Sequence, residues 1–253
     1  MKEEIANQLA ELKKARGIRV LLAVESGSRA WGFPSPDSDF DVRIIYIHPP
    51  EWYLSIRQRK DSIDYFHGEW LDINGWDARK ALSLLRKSNA TPFEWAQSPI
   101  VYEEEPGFRE KLLALAKDFF QPYHALNHYR GIAKNSYQLN PLSGEIKLKK
   151  LFYVIRPILA AKWIVTHQSV PPMYIGPLLP LIDPLPVKEA IEELIRIKAT
   201  AKEDFVYTLD PAIKAYIDQE MEALGHHPSL PMRETPNVEK LDVYFRELLY
   251  PTS

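Results

Sequence analysis

The stretch Ile18–Arg43, reading IRVLLAVESGSRAWGFPSPDSDFDVR, carries the information that decides the fold. Its first part, Ile18 to Val24, is an apolar, β-branched run that suits a buried strand. Gly27-Ser28 follows, then a short segment ending at Gly32 and a proline-punctuated loop through Pro36. Residues 39–47 read as a second strand with an informative alternation. Asp39, Asp41 and Arg43 share one face, and Phe40, Val42 and Ile44 share the other. Three charged side chains therefore stand together while the strand packs through its opposite side.

This pattern has a chemical reading. A Gly-Ser turn exposes backbone N–H groups, and its small residues let a phosphate come close. The Ser28 hydroxyl can donate one more hydrogen bond, and a helix starting at the turn would add positive potential for an anion. Two aspartates at i and i+2 on a strand repel each other, which raises the pKa of one of them. Divalent cations remove that conflict. Mg²⁺ takes oxygen ligands, and carboxylates together with substrate phosphate oxygens complete its shell. Two such ions, with Mn²⁺ as a substitute, activate an attacking hydroxyl and neutralise a leaving pyrophosphate. A third carboxylate often completes such a site. Asp72 is the candidate, because Leu71-Asp72-Ile73 sets an acid between two apolar residues of a predicted strand. It is placed to bind a metal or to take the proton from an acceptor hydroxyl.

Outward from this centre, residues 3–16 read as an amphipathic helix stopped by Gly17. Strands are expected over 62–66 and 70–73. A helix is expected over 75–88, with Asn74 as its N-cap and Asp77 in a variant capping box, and a short helix over 92–97. Further helices are expected at 107–119, 122–139, 146–167, 187–202, 210–223 and 237–249, the last four separated by proline-rich breaks. Strand signals end near residue 105. The reading is an α/β (α+β) chain with a mixed-sheet catalytic domain, 1–105, and an all-helical domain, 106–253.

Composition narrows the function. The net charge of −2 argues against a uniformly basic nucleic-acid-binding surface and leaves room for a local patch. With no cysteine, disulfides, cysteine nucleophiles and cysteine-based metal centres are excluded. No run of 18 apolar residues occurs, so no membrane-spanning helix and no membrane partner are expected. The segment from Met1 lacks the apolar core of a signal peptide, and a cytoplasmic protein is the expectation.

The ordered set of strand, Gly-Ser, ten residues, Asp-X-Asp and a later isolated acid resembles the DNA polymerase β-type nucleotidyltransferase superfamily. Residues 23–32 and 36–43 are closer still to its bacterial RNA-ligase-associated, RNA-repair group. Residues 72–80 and 149–157 also look like that group, so the resemblance runs over roughly 20–165. It implies the mixed-sheet nucleotidyltransferase fold, an NTP donor with ATP favoured, and Mg²⁺. It leaves the acceptor open among an RNA 3′ end, which is favoured, proteins and small-molecule hydroxyls. Oligomeric state is also left open.

A second feature lies between His128 and His167. Lys or Arg stands at 130, 134, 147, 149, 150, 156 and 162, against one acid, Glu145. From Leu151 to Val165 the helix is apolar nearly all round and should be buried. Arg156 within it needs an anionic partner, which a triphosphate or an inter-helix carboxylate would supply. The assembled expectation gives Asp39, Asp41 and Asp72 catalytic and metal-binding roles. Gly27, Ser28, Arg29, Arg43, Lys134, Lys150 and Arg156 are the nucleotide-binding set, and the NTP lies in a cleft between the halves. For Arg29 and Arg43 a plain ion-pairing role stands equally open. His226-His227 reads as a loop pair without a third ligand, and the tryptophans read as packing residues, with Trp31 nearest the site. Two other classes stay open: a non-catalytic nucleotide-binding or antitoxin-like protein, and a metal-dependent glycosyltransferase.

Overall fold

The computed structural model describes residues 1–140, 142–226, 230–234 and 236–251. In chain order, helix α1 (Lys2–Arg16) leads into strand β1 (Arg19–Glu25), the one-turn helix α2 (Gly27–Trp31) and strand β2 (Phe40–Ile47). Helix α3 (Pro50–Tyr53), strands β3 (Ser62–His67) and β4 (Leu71–Asp77), helices α4 (Ala78–Arg86) and α5 (Ala90–Gln97) and strand β5 (Val101–Glu104) follow. Then come α6 (Phe108–Phe119), α7 (Pro122–Leu139), β6 (Glu145–Lys147), α8 (Leu148–His167), a 3-10 turn at Gly176–Leu181, α9 (Leu185–Thr200), β7 (Val206–Thr208), α10 (Pro211–His226) and α11 (Glu239–Leu249). Among the described residues no helix is long and apolar enough to cross a membrane.

The chain divides into two units, Met1–Gly27 with Asp39–Phe119 and Glu234–Ser253, and Ser28–Ser38 with Phe120–Arg233. The boundary expected near 105 falls inside the first unit, because α6 packs on β1, α4 and α5. The chain leaves the first unit at the Gly27–Ser28 peptide and returns at Ser38–Asp39.

The first unit is built on a mixed five-stranded sheet in the order β3-β4-β2-β1-β5. The continuous apolar run of β1 fits its interior place, where both faces are covered. Ile5, Leu9 and Leu12 of α1 join Val42, Ile44, Tyr46 and Ile73 in one core cluster. That leaves the alternate residues of β2 and β4 on the opposite face. Strand β2 pairs antiparallel with β1 and parallel with β4.

Two expectations need correction. Asn74 is not an N-cap: β4 runs on through Asp77 because Asn74, Gly75 and Trp76 continue the ladder opposite Arg43, Ile44 and Ile45. The cap is Asp77, whose carboxylate accepts from the Arg79 N–H. The sequence also missed the charged strand β5 and the small ladder of β6 with β7, which removes residues 146 and 147 from the expected helix. In the second unit the helix is buried as expected, with Leu151, Phe152, Val154, Ile155, Ile158, Leu159 and Ile164 in the core. His226 ends α10, while His227 lies outside the described residues.

Candidate active site

The acid pair is set by strand register. Asp41 on β2 is the direct parallel partner of Asp72 on β4, so the two carboxylates project side by side from one face. Arg43, two residues along on the same face, bridges them. Its Nη2 lies 2.9 Å from Asp41 Oδ1 and 3.1 Å from Asp72 Oδ2, and its Nη1 donates to the Val42 and Asp72 carbonyls. Asn74 Nδ2 donates to Asp72 Oδ1 at 2.6 Å. All three charged side chains stay partly open to solvent. Asp39 is exposed and lies just before the strand.

Below Asp41 sits a residue the sequence reading passed over. Glu25 is fully buried at the end of β1, and its Oε1 accepts from the Asp41 N–H at 2.7 Å. Its Oε2 accepts from the Tyr102 hydroxyl on β5. Its own amide donates to the Ile100 carbonyl, and the Ser98 hydroxyl donates to its carbonyl. A buried carboxylate with charge-assisted contacts is thus fixed on three sides, and it fixes the backbone of the acid above it. The sequence signal was available: a glutamate closing an apolar, fully buried strand.

Gly27 is required by the same acid. Its φ is +58°, a left-handed conformation, and a Cβ there would lie 2.2 Å from Asp41 Oδ2. Ser26 N–H donates to the Asp41 carbonyl at 2.8 Å, which ties the turn to β2.

Ser28 opens the segment that belongs to the helical unit. Its hydroxyl donates to Ser38 Oγ at 3.3 Å, and Arg29 Nη2 donates to the Ser38 carbonyl. Trp31 packs edge-on to Tyr153, and the Arg156 guanidinium lies 4.8 Å from the Trp31 ring centre. Arg156 is buried and also donates to the Met173 carbonyl, so it stands beside the Gly-Ser segment as part of the Trp31 packing. Lys150 is exposed and lines a cavity of about 330 Å³ with Asn140, Ser143 and Lys147. Lys134 is exposed on α7. It is Lys149, one residue before Lys150, that joins the hydroxyls, through Glu203 at 2.9 Å.

Among the described residues, no group of three or more His, Cys, Asp or Glu side chains is gathered as a closed metal cage. The donor set nevertheless fits a hard cation of the Mg²⁺ type. Oxygens from Asp41 and Asp72 already converge on one positive nitrogen, and Mg²⁺ keeps water or substrate oxygens in its remaining positions rather than needing an all-protein cage.

The model of a family described as "RlaP: RNA repair pathway DNA polymerase beta family" matches residues 1–247. A Bacillus subtilis (strain 168) protein, "Uncharacterized protein YcgL", is 40% identical over 225 residues, which cover 88% of this chain and 86% of that protein.

Proposed function

The chain belongs to the RNA repair pathway DNA polymerase beta family, and from that premise we propose that it is a metal-dependent nucleotidyltransferase. It transfers NMP from an NTP to an acceptor hydroxyl, with an RNA 3′ end favoured, and releases pyrophosphate. The observation that carries this reading is the direct pairing of Asp41 with Asp72 in the parallel ladder, with both carboxylates turned to one cationic group.

In this reading Gly27 and Ser28 receive the β- and γ-phosphates. Asp39, Asp41 and Asp72 would hold two Mg²⁺ ions, which would supply charge neutralisation at the phosphates and activation of the attacking hydroxyl. Asp72 also takes the proton of the acceptor hydroxyl as its oxygen bonds to the α-phosphorus and the bond to pyrophosphate breaks. Arg29, Arg43, Lys134, Lys150 and Arg156 complete the cationic set offered to the nucleotide. Glu25 holds Asp41 in place from below.

The test is incubation with each α-labelled NTP, Mg²⁺ and separate pools of tRNA, oligonucleotide and protein. Label is expected in RNA with wild type and is lost with Asp41→Asn. Nucleotide binding that is unaffected by Asp41→Asn, without pyrophosphate release, would sink the enzymatic reading in favour of a binding protein.

A further inference from the structure

Lys198 is 1% exposed, and nothing in the mechanism above uses it. Its ammonium donates to Ser35 Oγ at 2.8 Å. Burial pushes its pKa below the ordinary lysine value, with Glu203 acting against that and Lys149 adding to it. A buried ammonium is tolerated only near anions or good acceptors. Its acidic neighbours in the same unit are Glu203 and Asp37.

Glu203 lies in the segment between α9 and β7, and three groups hold it. Lys149 Nζ stands 2.9 Å from its Oε1, the Ser38 hydroxyl donates to the same oxygen at 3.5 Å, and its amide donates to Asp37 Oδ1 at 2.8 Å. Ser38 Oγ in turn accepts from the Ser35 N–H at 3.0 Å and the Ser28 hydroxyl at 3.3 Å. A line of donors therefore starts at Ser28, passes through Ser38 and ends on a carboxylate. Ser28, Ser35, Ser38 and Lys198 are all buried, whereas the Lys149 and Glu203 side chains are 39% and 21% exposed. The donors are buried, and the acidic end of the line reaches the surface.

Hydroxyl and ammonium groups donate to a carboxylate oxygen or a phosphate oxygen equally well. We propose that Ser38 and Lys149 form a subsite for the terminal phosphate of the nucleotide, and that Glu203 is its resident occupant, an internal carboxylate the triphosphate must displace. The inference rests on the nucleotidyltransferase reading, which gives Ser28 to the phosphates. With Glu203 in place, its Oε1 takes the Lys149 ammonium and the Ser38 hydroxyl. With Glu203 displaced, a phosphate oxygen would take over both of those contacts. Lys198 is a positioning residue here: it holds Ser35, whose amide aims at Ser38.

The experiment is calorimetric titration of the full chain with α,β-methylene-ATP and, separately, with AMP. Glu203→Gln is expected to bind the triphosphate analogue about 10-fold more tightly, the size of one competing charge-assisted contact removed, and to bind AMP as wild type does. Adding Ser38→Ala to Glu203→Gln is expected to abolish that gain. Glu203→Ser, which cannot rebuild the Lys149 contact, guards against a compensating glutamine, and melting curves report folding. If wild type binds the triphosphate and both Glu203 variants, folded, bind it no better, the inference is overturned while the enzymatic reading stands. If neither wild type nor the variants bind any triphosphate, the nucleotide reading itself fails.

Discussion

The carboxylates of the strand unit and the hydroxyls of the helical unit solve the same electrostatic problem with opposite signs. Asp41 and Asp72 are held against Arg43, and Ser28, Ser38 and Lys149 are held against Glu203. Each region carries its own counter-ion, so loading a ligand there would be an exchange, with affinity set by the difference between ligand and resident. The two differ in how they are supported. The acids stand partly in solvent on a rigid ladder, with buried Glu25 fixing the backbone beneath one of them. The hydroxyls are themselves buried, and their acidic partner is partly exposed. A reaction that needs exact metal geometry and a tolerant phosphate grip would call for that division.

Gly27→Ala should have the largest effect, because it strikes the acid pair and the turn given to the phosphates together. The added Cβ would meet Asp41 Oδ2 at 2.2 Å and would also sit at a φ of +58°. The carboxylate must move, and a displacement of this kind costs about 100-fold in rate. The left-handed strain adds about 1–3 kcal/mol of destabilisation, readable in a denaturant melt. Affinity for α,β-methylene-ATP should fall as well, because the Gly27 turn is the one given to the β- and γ-phosphates. An unchanged rate and affinity in a folded variant would remove Gly27 from the site.

Glu25→Gln comes next. It keeps an acceptor for the Asp41 amide but removes the charge that strengthens the contact. Support-shell changes of this type cost on the order of 10-fold in activity or metal affinity. The expected result is a fall in kcat at unchanged KM for NTP, with Mn²⁺ binding weakened in parallel. A raised KM with unchanged kcat would assign Glu25 to the phosphates and not to the acids.

The acid side of the comparison was legible in the sequence, and the support beneath it was not. Period-2 alternation alone put Asp41 and Arg43 on one face, and the apolar flanks of Asp72 put it on a strand. Their pairing obeys that phase. Glu25 was missed because its value lies in Tyr102, 77 positions away, on a strand whose charged residues resemble a solvated turn. Glu103 and Glu105 are in fact taken up by Lys13 and Arg19, partners that local pattern does not reveal. Asn74-Gly75 has the look of a helix start, but pairing along β2 overrode that local preference. Lys198 reads as one more solvated lysine of an amphipathic helix, and only the three-dimensional position of Ser35 shows otherwise. The resemblance to a family stands on the first kind of residue, and the site's rigidity stands on the second.

The smallest effect tests whether the symmetry of counter-ions is real. If Arg43 is the resident cation of the acid pair, Arg43→Gln removes a competitor as well as a contact. Two facing carboxylates are then left without neutralisation and should welcome a divalent ion more readily. Mn²⁺ binding followed by electron paramagnetic resonance, with no nucleotide present, is expected to tighten by a few-fold and at most about 10-fold, or roughly 1.4 kcal/mol. The melting temperature should fall without metal and recover when Mn²⁺ is added, since binding to the native state alone stabilises it. A variant that binds Mn²⁺ more weakly than wild type would make Arg43 a support for the carboxylates' geometry. In that case Glu203 would be the only resident competitor, and the acids would take their metal by completion instead of exchange.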